Sequence, residues 1–233
     1  MQQPNTLAPG AIFNQDVADA YDQRNSALAP ISDGLHFLLR LVLEDLPVDA
    51  RVLSVGVGTG AEILSLAAAF PGWSFVGVDP SPEMLAVGRR RLEQAGVLQR
   101  CELLQGYAGD APREEFDTAV SLLVAHFIPR EDRPAFYAAI HDRLKPRGCF
   151  VSAEISGDLA APDFPEMLQD WRRIQRLMGA TPESLAKLEA MMREVLGVLT
   201  PAETESLWKA ADFRAPIPFF QAFMIRGWHA ARD

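Results

Sequence analysis

"RVLSVGVGTGAE", residues Arg51 to Glu62, decides how the rest of the chain is read. Val52, Leu53 and Val55 make a short apolar run; Gly56, Gly58 and Gly60 then break it before a helical pattern that starts at Ala61. A buried strand entering a glycine-rich turn and then a helix has this signature. Glycine lets the backbone turn tightly and approach a ligand with no Cβ in the way, while the next helix points its amino terminus at the same place. The spacing Gly56-x-Gly58-x-x-Ala61 also satisfies the dinucleotide fingerprint in its alanine form, and Asp79 lies about 20 residues on, where a ribose-binding acid belongs. The motif alone leaves the choice of nucleotide open.

Outward from this turn, strands and helices alternate. "SFVGVD" ends in Asp79, and Ser81 followed by Pro82 supplies an N-cap with proline at the first helical position, so Asp79 sits at a carboxyl strand end. Helices are predicted over 61–70 and 82–94, strands at "CELLQGY" and "FDTAVSLLV", a helix over 131–145, and a fifth strand at "CFVSAEI". The apolar runs are short and not strictly alternating, as in parallel strands covered on both faces. Ahead of the turn, Leu35, Leu38, Leu39, Val42, Leu43 and Leu46 share one helix face. Beyond residue 157 the pattern becomes helical: one helix around Phe164 to Met178, a second in "TPESLAKLEAMMREVLGVL", and a third opened by Thr200 and Glu203 at capping-box spacing. The ending "APIPFFQAFMIRGWHAA" reads as two strands; Pro216 and Pro218 place the first of them on a sheet edge.

Composition bounds the function. A chain of 233 residues with 48% hydrophobic content can bury one substantial core, and its formal charge of -9 offers no general basic surface to nucleic acid. Cys101 and Cys149 lie inside apolar runs and fit no zinc or disulfide pattern, and the four histidines form no ligand cluster, so no metal is expected. No run of about 18 apolar residues occurs, and the first residues lack the features of a secretion signal, so a cytoplasmic protein is expected.

Taken together, "VLSVGVGTGAE", "FVGVDPSPEML", "EFDTAVSLLVAHFIP" and "LKPRGCFVSAEI" resemble the class I S-adenosylmethionine (SAM) dependent methyltransferases over roughly Arg51 to Ile155. The resemblance implies an α/β, Rossmann-like three-layer sandwich: a seven-stranded, mostly parallel sheet of order 3-2-1-4-5-7-6 with its last strand antiparallel. It implies a single domain with an N-terminal helical arm (1–48), a SAM-binding core (49–157), a helical insertion or lid (158–212) and a C-terminal strand pair (213–233). Carried over by position, Gly56, Gly58 and Gly60 would line the methionine part of SAM, and Asp79 would accept both ribose hydroxyls. Pro80 and Met84 would flank the adenine, with Tyr107 and the Ala108 amide at its amino edge; Tyr21 and Arg24 would reach the SAM carboxylate or the substrate. Two positions depart from the pattern: Ser54 and Tyr107 stand where the family often has acids. His126 follows the fourth strand and is either a general base or a packed strand cap.

Within the superfamily, "DRPAFYAAIHDRLKPRGCFVSAEI" and "WKAADF" through "FFQAFMIRGW" resemble carboxy-SAM synthase of tRNA wobble-uridine modification and its methyltransferase relatives. Leu207 stands where that synthase has the arginine for its extra carboxylate. The resemblance therefore implies a SAM-dependent methyltransferase acting on a small-molecule acceptor, releasing S-adenosylhomocysteine. The alternatives are SAM chemistry other than methyl transfer, as in the carboxy-SAM synthase, and a non-catalytic SAM-binding relative. No catalytic residue is assigned, because an activated methyl group needs mainly an aligned nucleophile and a dry site. No nucleic-acid or membrane partner is expected, and the lid helices are consistent with a homodimer.

Overall fold

A computed structural model describes residues 25–113 and 116–233. Its centre is one seven-stranded sheet of order β3-β2-β1-β4-β5-β7-β6. The strands are β1 (Arg51–Val55), β2 (Ser74–Asp79), β3 (Cys101–Gln105), β4 (Phe116–Leu122), β5 (Leu144–Ile155), β6 (Ile217–Ala222) and β7 (Ile225–Ala231). Strands β1 to β5 pair in parallel, and β7 runs antiparallel between β5 and β6. This is the order that the family resemblance implies. Strand β6 pairs only with β7, so Pro218, which has no N–H to donate, sits on an edge strand where that loss is tolerated.

Helices cover both faces because β1, β2 and β4 are buried almost throughout and leave no face for water. On one side lie α1 (Ala29–Val42), α2 (Ala61–Ala69) and α3 (Pro82–Gln94), which bury Leu39, Ile63, Leu66 and Leu92 against Val52, Phe75 and Val120. On the other, α4 (Arg133–His141) brings Tyr137 and Ile140 onto Phe116 and Phe150. The insertion contributes α5 (Phe164–Leu177), α6 (Pro182–Ala186), α7 (Leu188–Glu194) and α8 (Pro201–Ala210). Helix α8 joins the α4 side through Trp208, whereas α5 and α7 form a separate cluster of Phe164, Trp171, Leu188 and Met192 with Met224 and Ile225. Leu28, Ile31 and Leu123 pack on that cluster, so the insertion helices adjoin the entry to α1 and the exit of β4.

A buried ion pair fastens the insertion to the sheet. Arg133 Nη1 donates to Glu154 Oε2 at 2.7 Å, with both side chains almost fully enclosed. The guanidinium also donates to the Gly197 carbonyl at 2.7 Å and the Ile128 carbonyl at 3.2 Å, while Thr204 of α8 donates to Glu154 Oε1 at 3.1 Å. Spread over these partners, the charges keep the hydrogen bonds that a buried pair requires.

Strand β5 starts at Leu144, ahead of the Cys149 start read from the sequence, and two helix boundaries also differ. The helix predicted over 131–145 spans only Arg133–His141, because Pro134 has no N–H and fits only the first helical turn, and residues 130–132 form a 3-10 turn instead. The helix read through 181–199 breaks at Lys187, which caps α6 and opens α7; the turn there carries Leu188 and Met192 into the Phe164–Trp171 cluster. Among the described residues, no helix is long and apolar enough to cross a membrane.

Candidate cofactor site

The carboxyl ends of β1, β2 and β4 meet around the glycine turn, the position where open α/β sheets bind ligands. Gly56, Gly58 and Gly60 all have positive φ, at 70°, 50° and 77°. At Gly56 the requirement is doubled, since a Cβ there would lie 2.4 Å from Cγ2 of Val124. At Gly58 a Cβ would meet only the flexible end of Met84, at 3.2 Å. The turn thus packs its first glycine against the exit of β4 and its second against the start of α3.

Two hollows open on either side of this turn and share Gly56, Gly58, Leu122 and Leu123. The first is lined by Asp79, Pro80 and Met84 on one side, Gly106, Tyr107 and Ala108 on another, and Val124, Phe127, Ile128 and Phe136 beyond β4. The second lies under α1, between Asn25, Ser32 and His36 and the segment from Val57 to Glu62, with Arg91 at its border. Leu123, at the junction, has φ of 59°, a left-handed conformation that costs a residue with a Cβ on the order of 1 kcal/mol. Its N–H is bonded to the Ala153 carbonyl at 2.6 Å, so the sheet holds the strained turn in place.

Asp79 is the polar centre of the first hollow. Its Oδ2 accepts the Gly58 N–H at 2.8 Å and its Oδ1 accepts the Ser81 N–H at 2.9 Å. Burial raises its carboxyl above the ordinary value, and these two N–H groups act in the opposite direction. A carboxylate has about four acceptor sites, so each oxygen keeps capacity for a ligand hydroxyl. The Ser81 side chain accepts from the Met84 N–H at 3.1 Å, which starts α3 and fixes Met84 against the turn.

The two departures from the family pattern are both answered from nearby chain. Ser54 Oγ donates to Oε1 of Glu62 at 2.5 Å, so an acid from the first turn of α2 reaches the position where β1 has none. Burial raises the Glu62 carboxyl from 4.5 to about 7, opposed by the Ser54 hydroxyl and the helix backbone and reinforced by nearby Asp79. At the other position Asp110 folds back, its Oδ2 accepting the Tyr107 N–H at 2.9 Å. Gly106 permits this, since a Cβ there would lie 2.8 Å from Asp110. The Tyr107 side chain stays largely exposed at the rim.

The comparison with known proteins follows this geometry closely. Residues 52–148 match the family model described as a methyltransferase domain. The part of the chain that carries the glycine turn and Asp79 thus matches a methyltransferase domain, on a sheet of the order found here. The chain is similar along nearly its whole length to a carboxy-S-adenosyl-L-methionine synthase from Dichelobacter nodosus, 26% identical over 95% of this chain and 97% of the relative. Erythromycin 3''-O-methyltransferase from Saccharopolyspora erythraea is 34% identical over 57% of this chain, which spans 44% of that protein. Among solved structures, magnesium protoporphyrin IX methyltransferase from Synechocystis with bound SAH superposes with a TM-score of 0.68 at 14% identity, covering 96% of this chain and 98% of the other.

The resemblance implies SAM as the cofactor, and the residues fit it. The cradle that a Cβ at Gly56 would fill, and the spare acceptor capacity of Asp79 beside an apolar slot, suit a nucleoside with two ribose hydroxyls. Of the residues singled out in the sequence, Gly56, Gly58, Asp79, Pro80, Met84, Tyr107 and Ala108 all line the first hollow. Gly60 lines neither; it caps α2, and a Cβ there would face Leu92. Tyr21 and Arg24 lie outside the described residues. His126 is buried, its Nδ1 accepts the Ile155 N–H at 3.3 Å, and burial lowers it to about 3, with Arg133 adding to the effect. It caps the end of β5 and is uncharged at neutral pH, with its ring proton on Nε2. Sequence reasoning passed over Glu62 and Leu123: nothing local shows that Glu62 meets Ser54, and nothing marks a leucine for left-handed backbone.

Proposed function

We propose that this protein binds SAM across the glycine turn and transfers its methyl group to a small, largely apolar acceptor. The observation that carries the reading is the pair of hollows joined at Gly56, Gly58, Leu122 and Leu123. The first has the slot and carboxylate for an adenosine, and the junction would receive the sulfonium. When bound, SAM supplies an activated methyl group that needs no further chemical activation.

The work left to the chain is positioning and exclusion of water. Asp79 would hold the ribose hydroxyls, Pro80 and Met84 would border the adenine from α3, and the Ala108 amide would serve its edge. Leu122, Leu123, Val124 and Phe127 present apolar surface at the exit of β4, where an acceptor would approach in line. Because burial lowers His126 to about 3, leaving it a weak base, and its Nδ1 already accepts the Ile155 N–H, it is not the base that would deprotonate an acceptor.

A second reading is carboxy-SAM synthesis, favoured by the likeness to the Dichelobacter nodosus protein along nearly the whole chain. Against it stands Leu207, half-buried against the core at the position where the resemblance to that synthase implies an arginine. Calorimetric titration with SAM and with NAD tests the cofactor; NAD binding without SAM binding would sink the proposal. Incubation with methyl-labelled SAM and pools of phenols, quinols and macrolides, with and without added carboxylic acids that can give up a carboxyl group, then separates methyl transfer from the second reading, which predicts a carboxylated sulfonium product only when such a donor is present and no labelled acceptor.

A further inference from the structure

Glu62 has no place in the reading so far, yet its surroundings are those of a ligand group. It lies at the first turn of α2, lines the second hollow beside Gly56 and Gly58, and is bonded through one oxygen to Ser54 of β1. Among the described residues no lysine, arginine or histidine forms an ion pair with it. Arg91 attracts it only at a distance, and a buried acid on a hollow with no ion-pair partner is costly to keep unless a cation visits it. The hollow adjoins the adenosine slot across the turn, so a molecule whose nucleoside fills the slot extends its other end past Gly58 toward Glu62.

We propose that Glu62 receives the ammonium group at the amino-acid end of SAM, taking the part of the acid that β1 lacks at Ser54. The inference rests on the SAM reading given above. Ser54 then positions the carboxylate by its hydroxyl and needs no charge of its own.

The proton balance follows. Free Glu62 carries a proton below about pH 7. The ammonium has no lone pair to take it, so binding sends that proton to the buffer and leaves a carboxylate facing the ammonium. Affinity for SAM therefore falls as the pH drops below 7, by up to about tenfold per unit, and falls again above roughly pH 8 as the ligand amine loses its own proton. The other charged groups around the hollow are Asp33 and His36 of α1, Arg91 of α3, and Asp79 beyond the turn. His36 is lowered by burial, with Asp33 and Arg40 acting in opposite directions, so it stays neutral over most of this range.

The test is calorimetric titration of the full chain with SAM and with 5′-methylthioadenosine, which lacks the amino-acid end, each in two buffers of different ionisation enthalpy. SAM should release close to one proton at about pH 6 and almost none near pH 7.5, whereas 5′-methylthioadenosine should release none. Glu62→Gln should weaken SAM roughly tenfold to hundredfold near neutral pH, remove the proton release, and leave 5′-methylthioadenosine unchanged. SAM binding without proton release in the native chain, or with full affinity in Glu62→Gln, overturns the inference and leaves the SAM reading standing. If neither compound binds the native chain, the SAM reading itself has failed. Should Glu62→Gln not fold, the proton count of the native chain decides alone.

Discussion

Oδ2 of Asp79 accepts the Gly58 N–H at 2.8 Å, so the acid at the end of β2 is bonded directly to the glycine turn after β1. Two sequence features 21 residues apart are one piece of structure. Removing the carboxylate acts on both: Asp79→Ala should weaken SAM by about 1 to 3 kcal/mol through lost charge-assisted hydrogen bonds. Calorimetry on the purified variant measures this, and an unchanged affinity would show that the ribose lies elsewhere.

The glycines of the turn are not equivalent. Gly56→Ala combines left-handed backbone with a Cβ driven into Val124 and should destabilise the fold by about 2 to 4 kcal/mol. Gly58→Ala shares the left-handed strain but meets only the movable end of Met84, so it should cost less in urea denaturation. Adding Val124→Ala to Gly56→Ala should recover the steric part and leave the backbone part, which a double-mutant cycle resolves.

The Arg133–Glu154 pair predicts a one-sided penalty. Replacing Arg133 with Met leaves an enclosed carboxylate and strips the Gly197 carbonyl of its donor, so a loss of about 3 to 5 kcal/mol is expected. Limited proteolysis should then cut first within the insertion, between 158 and 200, because that is the segment the guanidinium fastens. An insertion as resistant as in the native chain would refute its anchoring role.

Stability against pH should have two limbs set by buried groups. Glu62 is raised from 4.5 to about 7, so its contribution is full below about pH 4.5 and is lost as the pH rises through 7; the loss is on the order of 3 kcal/mol. His126 is depressed from 6.5 to about 3, so its contribution is full above 6.5 and is lost as the pH falls toward 3, on the order of 5 kcal/mol. Urea midpoints across pH measure both: Glu62→Gln should flatten the upper limb and His126→Gln should reduce the lower one.

Much of the architecture was legible before any coordinates. Ser81 and Pro82 placed Asp79 at a strand end, and Pro218 placed β6 on the edge, because proline and N-cap chemistry act over a few residues. The short apolar runs told of parallel strands because burial on both faces leaves that mark in any single strand. Helix ends were less legible: the stop at His141 and the break at Lys187 depend on what the next residues must reach across space.

By itself, then, the sequence determined the alternation of strands and helices from Arg51 to Ile155, the nucleotide-type turn and the acid that serves it. Only the tertiary structure decided how the apparent gaps are filled. Ser54 is met by Glu62 from the next helix, Tyr107 by Asp110 folding back over Gly106, and His126 turns out to close the end of β5. Periodicity and capping are local and can be read along a chain. The charge and protonation of a site depend on which side chains meet when elements pack, and no spacing along the chain encodes that.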